Sequence, residues 1–224
     1  EHDVEAAVQA AEKAFPAWNA LGREGRSAAM LRLADLIEED MDGFVADESK
    51  DNGKPLALAR RVDIPRAVAQ LPDETGSSAF VIERDLAGPT VARGEFSAIN
   101  GVRRGFTAYL DGVRAGNTFT LTERFEYDDG EKDLKTWVLT LVGDGHYTGT
   151  REDVIGEARG WQDGPAFRLE YDVRLPTDNG EPGMKVRFRD VMVKTRDGRV
   201  LNHAAVGKWG VHVGTVELVI ERAP

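Results

Sequence analysis

Hydrophobic residues in the first third of the chain recur at helical spacing. Val4, Val8, Ala11 and Phe15 share one face, and Met30, Leu33, Leu36 and Ile37 share another, so the pattern predicts several consecutive helices from Asp3 to about Leu71. Asp3 reads as an N-cap, Pro16 as the end of the first helix, and Asn52-Gly53 as a helix stop with Pro55 opening the next segment. Asp73 to Ala79 has no apolar period and two small, flexible residue types, which is how a linker reads. After it the period changes to two. Asx-Gly pairs then recur at intervals suited to a meander: Asp111-Gly112, Asp129-Gly130, Asp144-Gly145, Asp163-Gly164, Asn179-Gly180 and Asp197-Gly198. A sheet of so many consecutive strands leaves long edges unless it curls and closes. The expectation is a mainly β protein, an antiparallel meander closing into a barrel over residues 80–224. A small all-α segment over 1–72 and a linker over 73–79 precede it.

In a half-buried strand, alternate residues face one side, so the apolar register tells which polar residues share the interior. With Phe119, Leu121, Phe125 and Tyr127 inward, Glu123 is inward too. With Val186, Phe188 and Met192 inward, Asp190 joins them. With Val102, Phe106, Ala108 and Leu110 inward, so does Arg104. Trp137, Leu139 and Leu141 form an unbroken apolar face, as do Phe167, Leu169, Tyr171, Val173 and Leu175, and then Val216, Leu218 and Ile220. Along Val200 to Val213 one face bears Asn202, Ala204, Val206 and Lys208, and the other Leu201, His203, Ala205, Trp209 and Val211. The reading favours Trp209 inward, with a bulge near Gly207 as the device that brings Lys208 inward instead. The interior polar cluster is therefore Arg104, Glu123, Asp190, Asn202 and Lys208. The pocket wall is Phe106, Phe125, Trp137, Tyr171, Phe188 and Trp209.

Composition narrows the function classes. Net charge is −10 over 224 residues, with 16 acidic and 9 basic residues before Ala79, or −7 of that total. An unspecific grip on nucleic acid or on an anionic membrane would work against this repulsion, so no nucleic acid partner is expected. The chain has no cysteine, which removes disulfides, thiolate nucleophiles and thiolate metal sites. No apolar run is long enough for a membrane span, and Glu1 to Ala11 is too acidic for a signal peptide. A cytoplasmic location is expected as the sequence stands, and an envelope location if an upstream segment is missing. His2, His146, His203 and His212 are dispersed, and neither a metal nor a cofactor is expected.

Two resemblances overlie this reading. Asp3-Val-Glu-Ala-Ala-Val-Gln-Ala-Ala, Ala14-Phe-Pro-Ala-Trp18, Arg32-Leu-Ala-Asp-Leu-Ile-Glu-Glu39, Asp51-Asn-Gly-Lys-Pro55 and Asp63-Ile-Pro-Arg-Ala67 resemble, in order, the start of aldehyde dehydrogenases. That family's chemistry needs a cofactor-binding glycine motif, a catalytic cysteine and a general-base glutamate further along its chain. With no cysteine the acyl-thioester mechanism has no nucleophile, so no dehydrogenase activity is expected and the segment is best read as a fusion remnant or an artificial join. Asp85-Leu-Ala-Gly-Pro, Gly105-Phe-Thr-Ala-Tyr, Thr120-Leu-Thr-Glu-Arg-Phe-Glu-Tyr-Asp-Asp-Gly130, Tyr147-Thr-Gly-Thr, Val186-Arg-Phe-Arg-Asp190 and Lys208-Trp-Gly-Val211 look like a bacterial family of unknown function, domain of unknown function 3833. This resemblance implies a lipocalin/calycin-like barrel and no established reaction. It also implies small proteins often exported or lipid-anchored, although no lipidated cysteine is visible here.

Inward carboxylates must find a cation or meet water, and three functions stay open. The charges neutralise one another in a packed structural barrel, or they line one end of a pocket for an apolar or amphipathic, lipid-like small molecule. In the third reading Glu123 and Asp190 do acid and base work as an enzyme. The helices, without a full partner surface, are expected to show exposed apolar patches, to dock onto the barrel or to self-associate.

Overall fold

The computed structural model describes residues 2–71, 79–175 and 183–223. The Asn179-Gly180 turn signal and most of the linker reading lie outside them. Helices α1 (His2–Ala20), α2 (Gly22–Glu39) and α3 (Met41–Asn52) come first. Pro16 does not end α1 but lies inside it. The described part of α1 is exposed along its length, so water can take the carbonyl that the proline leaves without a donor. Gly22, at φ 67°, is where the chain turns into α2. Asn52-Gly53 ends α3 as expected, because Gly53 adopts φ 73° and its N–H reaches the Ser49 carbonyl at 2.9 Å. Helix α4 (Leu56–Leu58), a π-helical turn (Ala59–Asp63) and α5 (Ile64–Gln70) follow. Val4, Val8 and Phe15 all face solvent, so the apolar stripe of α1 has no cover within the described residues.

Ten antiparallel strands then close into a barrel in the order β1-β10-β9-β8-β7-β6-β5-β4-β3-β2. They are β1 (Gly88–Ala98), β2 (Arg103–Ala115), β3 (Thr118–Tyr127), β4 (Lys132–Gly143), β5 (His146–Thr150), β6 (Ala158–Asp163), β7 (Ala166–Arg174), β8 (Lys185–Lys194), β9 (Val200–Lys208) and β10 (Val211–Arg222). Closure pairs β1 with β10, Thr90 opposite Arg222 and Ala98 opposite Gly214, so neither strand keeps an open edge. This is the lipocalin-like barrel with a small helical segment ahead of it.

Asp111-Gly112 is not a turn. It lies within β2 opposite Pro89 and Gly88, and the hairpin turns instead at Gly116, φ 62°. The glycine is required for another reason: a Cβ at position 112 would stand 2.0 Å from the Leu86 carbonyl oxygen and 2.6 Å from the Phe119 ring. Leu86 follows a short helix, α6 (Ile82–Asp85), which plugs this end of the barrel with Phe80, Ile82 and Leu86, all fully buried. The Tyr147 hydroxyl donates to Glu83 at 2.7 Å, and Asp85 takes Lys194 at 3.0 Å, fixing the plug to the wall. At the other end of the barrel, the mouth end where β3 ends and β4 begins, no helix crosses the interior among the described residues.

Part of the outer wall is also buried. Val193 of β8, Leu201 of β9 and Val219 of β10 point outward and pack against Val62 of the π-helical turn. Beside them, Lys54 Nζ lies 2.9 Å from the Asp63 carboxylate and 3.1 Å from Glu217, which also meets His203 Nδ1 at 3.2 Å. Burial pushes the Asp63 carboxyl up. At Glu217 burial has the same tendency, but the His203 and Lys54 contacts outweigh it and hold that carboxyl below its ordinary value. The helical segment thus docks onto the barrel through an apolar contact rimmed by ion pairs.

Candidate functional site

The strand register brings Glu123 and Asp190 into the barrel interior, as the alternation requires. Phe106, Trp137 and Tyr171 are buried in the core around them, with Phe125 and Phe188 partly buried against it. Trp137 and Tyr171 meet edge to face at 4.9 Å, and Tyr171 stacks on Phe188 at 5.2 Å. Glu123 and Asn202 line a cavity of about 60 Å³ whose other walls include Phe106, Phe125, Trp137 and Met192.

Arg104 is not in this cluster. Its side chain shares a face with Phe106 but lies past the end of the wall, at the mouth. There it pairs with Asp129 at 2.7 Å and with Glu131, and its guanidinium stacks 3.7 Å over the Tyr127 ring. These two carboxylates push the Arg104 guanidinium further up. Alternation fixes the side of a strand, not the depth along the barrel axis, and β2 outruns the interior by the length of that one residue pair.

The interior cation is Arg151, which sequence reasoning missed. It comes from the segment after β5, where Tyr147 and Gly149 already point inward, and continuing that alternation by one step would have found it. Arg151 Nε holds Asp153 at 2.7 Å, while its Nη1 is 3.8 Å from Glu123 Oε2. Its guanidinium faces the Trp137 and Tyr171 rings at 4.7 and 5.2 Å. Asp153 is therefore the close partner, and Glu123 the distant one.

Burial pushes the Glu123 carboxyl up to about 7; the Arg151 charge opposes this and Asp190 adds to it. Burial likewise lifts Asp190 to about 6, although Asn202 Nδ2 donates to its Oδ1 at 2.7 Å and the neighbouring Tyr171 hydroxyl also opposes the rise. Tyr171 is driven well above the ordinary phenol range, first by burial and then by the Asp190 charge. Three acceptor atoms here, Glu123 Oε2, Asp190 Oδ2 and Asn202 Oδ1, are buried without a hydrogen-bond donor. Such groups are costly in a dry interior and call for a donor from water or a guest.

Lys208 and Trp209 correct the reading of the last hairpin. Asn202, Ala204 and Val206 face the core, so the even-numbered face is the inner one. Trp209 is 92% exposed at the tip of the turn, and Lys208 lies beside it with its ammonium 4.3 Å over the indole. A bulge does fall at this point, but on the partner strand: it lies between His212 and Gly214 of β10, across from Gly207 and Val206, and it leaves Lys208 at the tip rather than in the interior. Both faces of β9 looked buried in the sequence because both are, Leu201 being covered from outside by the helical segment. Among the described residues, no group of three or more His, Asp or Glu is placed to hold a metal ion, and no helix is long and apolar enough to cross a membrane.

Comparison with known proteins divides the chain in the same way. The aldehyde dehydrogenase family model matches residues 1–91. The 2-aminomuconic semialdehyde dehydrogenase of Homo sapiens is 50% identical over 66 residues, 30% of this chain and 14% of that protein. An aldehyde dehydrogenase of Deinococcus radiodurans is 38% identical over 66 residues, again 30% of this chain and 13% of its own. The chain thus spans about a seventh of the length of these curated relatives. Among solved structures, the S-type phycobiliprotein lyase CPES from Guillardia theta is 10% identical, covering 71% of this chain and 97% of that one at a TM-score of 0.48. A redesigned β-barrel, mFAP1, bound to DFHBI is 9% identical, covering 62% and 97% at a TM-score of 0.34. Both likenesses are too weak to carry an inference. The model for the family described as Protein of unknown function (DUF3833) matches residues 68–222, the whole barrel and its plug, and the chain belongs to that family.

Proposed function

We propose that the barrel is a non-catalytic binding module for a small amphipathic molecule that enters by the mouth and places a hydrogen-bond donor against Glu123, Asp190 and Asn202. The observation that supports this reading is the set of three buried acceptor atoms without donors, two of them, on Glu123 and Asn202, on residues that line an apolar cavity and the third on Asp190, which Asn202 holds. Arg151 is already held by Asp153, so the cluster presents surplus acceptor capacity and surplus negative charge. A hydroxyl, amide or ammonium head group suits it, and the body of the guest lies along Phe106, Phe125, Trp137, Tyr171 and Phe188. Native mass spectrometry of the purified chain tests it. A retained organic guest that is lost in Glu123→Gln and Asn202→Ala supports the reading, and a guest-free protein whose acceptors are met only by ordered water overturns it.

The cavity's size favours a second reading. At about 60 Å³ it is well below the roughly 300 Å³ where ligand pockets begin, so a fatty-acid-sized guest needs the aromatic side chains to move. If they do not, the barrel is a structural module and the charges fix its register. No dehydrogenase activity belongs to either reading. The bare apolar stripe of α1 supports self-association of the chain through its helical segment. Sedimentation of wild type against Val8→Ser/Phe15→Ser tests this, a concentration-dependent oligomer being expected only for the wild type.

A further inference from the structure

The tip of the β9–β10 hairpin has a residue that local structure does not account for. Trp209 and Gly210 both take positive φ, 51° and 82°, in a two-residue turn of the kind that favours Asn-Gly. A tryptophan there is strained and gains little from packing, since it is 92% exposed and Lys208 is its ring partner. Its surroundings are apolar as well. Ile99 N donates to Val213 O at 3.1 Å, which sets the β1–β2 tip beside the β9–β10 tip. Ile99, Val102 and Val211 are 69%, 53% and 63% exposed. Arg187 stands opposite Gly207, so the start of β8 brings exposed Met184 toward the same tip.

The charges near this patch are arranged to suit an anionic group. Glu95 is taken by Arg103, and Asp129 and Glu131, on the β3–β4 turn, are held by Arg104. Among the described residues Lys208 meets the Trp209 ring and no carboxylate. An indole beside aliphatic side chains and an ammonium that meets no carboxylate among the described residues is the combination that settles at a lipid–water boundary, the ring among head groups and the cation against phosphate. A chain of net charge −10 is repelled by a strongly anionic surface, which selects a zwitterionic one. We propose that the mouth end of the barrel docks onto a phospholipid bilayer through Trp209, Ile99, Val102 and Val211, with Lys208 on a lipid phosphate. This stands apart from the cavity reading, because it concerns the outer tip alone.

Co-sedimentation of the full chain with phosphatidylcholine vesicles tests the docking, with fluorescence quenching by acyl chains brominated near the head group. The chain is expected to pellet with vesicles and to be quenched. Trp209→Asn, which suits the turn, lowers partition by about ten-fold, or about 1.4 kcal/mol, whereas Trp18→Phe on α1 leaves it unchanged. A full chain that stays in the supernatant, or a Trp209→Asn variant that partitions like wild type, overturns the proposal. A protein oligomer that Trp209→Asn dissolves, without vesicle binding, assigns the tip to a second copy and overturns it equally.

Discussion

Asn202 donates through Nδ2 to Asp190 Oδ1 at 2.7 Å, while Asn202 Oδ1 and Asp190 Oδ2 stay buried without a donor in bonding geometry, the Tyr171 hydroxyl standing nearby. The amide thus only half-satisfies the carboxylate that it orients. Together with Glu123, the pair makes the interior of this barrel an acceptor-rich spot in an apolar wall, and its behaviour with pH follows.

Glu123 has its carboxyl raised from 4.5 to about 7, and Asp190 from 3.8 to about 6, in both cases chiefly by burial. Between about pH 4 and 7 the folded chain keeps protons that the unfolded chain has released, so these groups lower stability as pH rises through that window. Glu123→Gln removes the effect at one site. Its melting temperature is expected to match or fall below wild type at pH 4 and to exceed it at pH 8. The gain is bounded by roughly 3 kcal/mol, from the size of the shift. A thermal-melt series across pH checks the crossover, and parallel curves would remove the buried-acid account.

Arg151 and Arg104 are both paired arginines near the mouth, and their replacement should not cost the same. Arg151→Met removes the cation that faces buried Glu123, while half-buried Asp153 keeps Lys135 at 3.2 Å, and a loss of up to about 3 kcal/mol is expected by analogy with broken buried pairs. Arg104→Met breaks solvent-facing pairs with Asp129 and Glu131 and is expected to cost far less. Urea denaturation of the two variants side by side measures the difference, and equal losses would place the interior charge elsewhere.

Gly112→Ala drives a methyl group into the Leu86 carbonyl and the Phe119 ring. Overpacking of this kind costs about 1–3 kcal/mol, and the strain falls on the α6 plug. Faster hydrogen exchange at Ile82 to Leu86, with the strands β5 to β8 still protected, is the expected signature. Uniform loss of protection would show instead that plug and wall unfold as one.

A chain beginning at Ala79 is expected to keep the barrel's far-ultraviolet spectrum, because the closed sheet pairs with itself. It should also aggregate more readily, since Val193, Leu201 and Val219 lose the cover of Val62, and Glu217 loses Lys54. An unfolded product would make the helices part of the barrel's own core.

What the sequence by itself determined is whatever depends on neighbours along the chain. The change of period from helical to alternate marks where helices give way to strands. Asp129-Gly130, Asp144-Gly145 and Asp197-Gly198 are turns in the structure as they are in the sequence, and Glu123 and Asp190 point inward because side chains alternate whatever the sheet does next. The tertiary structure decided depth, layering and closure. Arg104 has the right face but lies beyond the interior, while Arg151 reaches it from a loop. Leu201 looked like an inner residue because a second layer of helices buries the outer wall, and that moved Trp209 from the core to the hairpin tip. Asp111-Gly112 is a close approach to the plug rather than a turn. None of these is visible to a local pattern, because each is set by which distant segment comes to rest against the strand, and burial depends on that distance rather than on spacing in sequence.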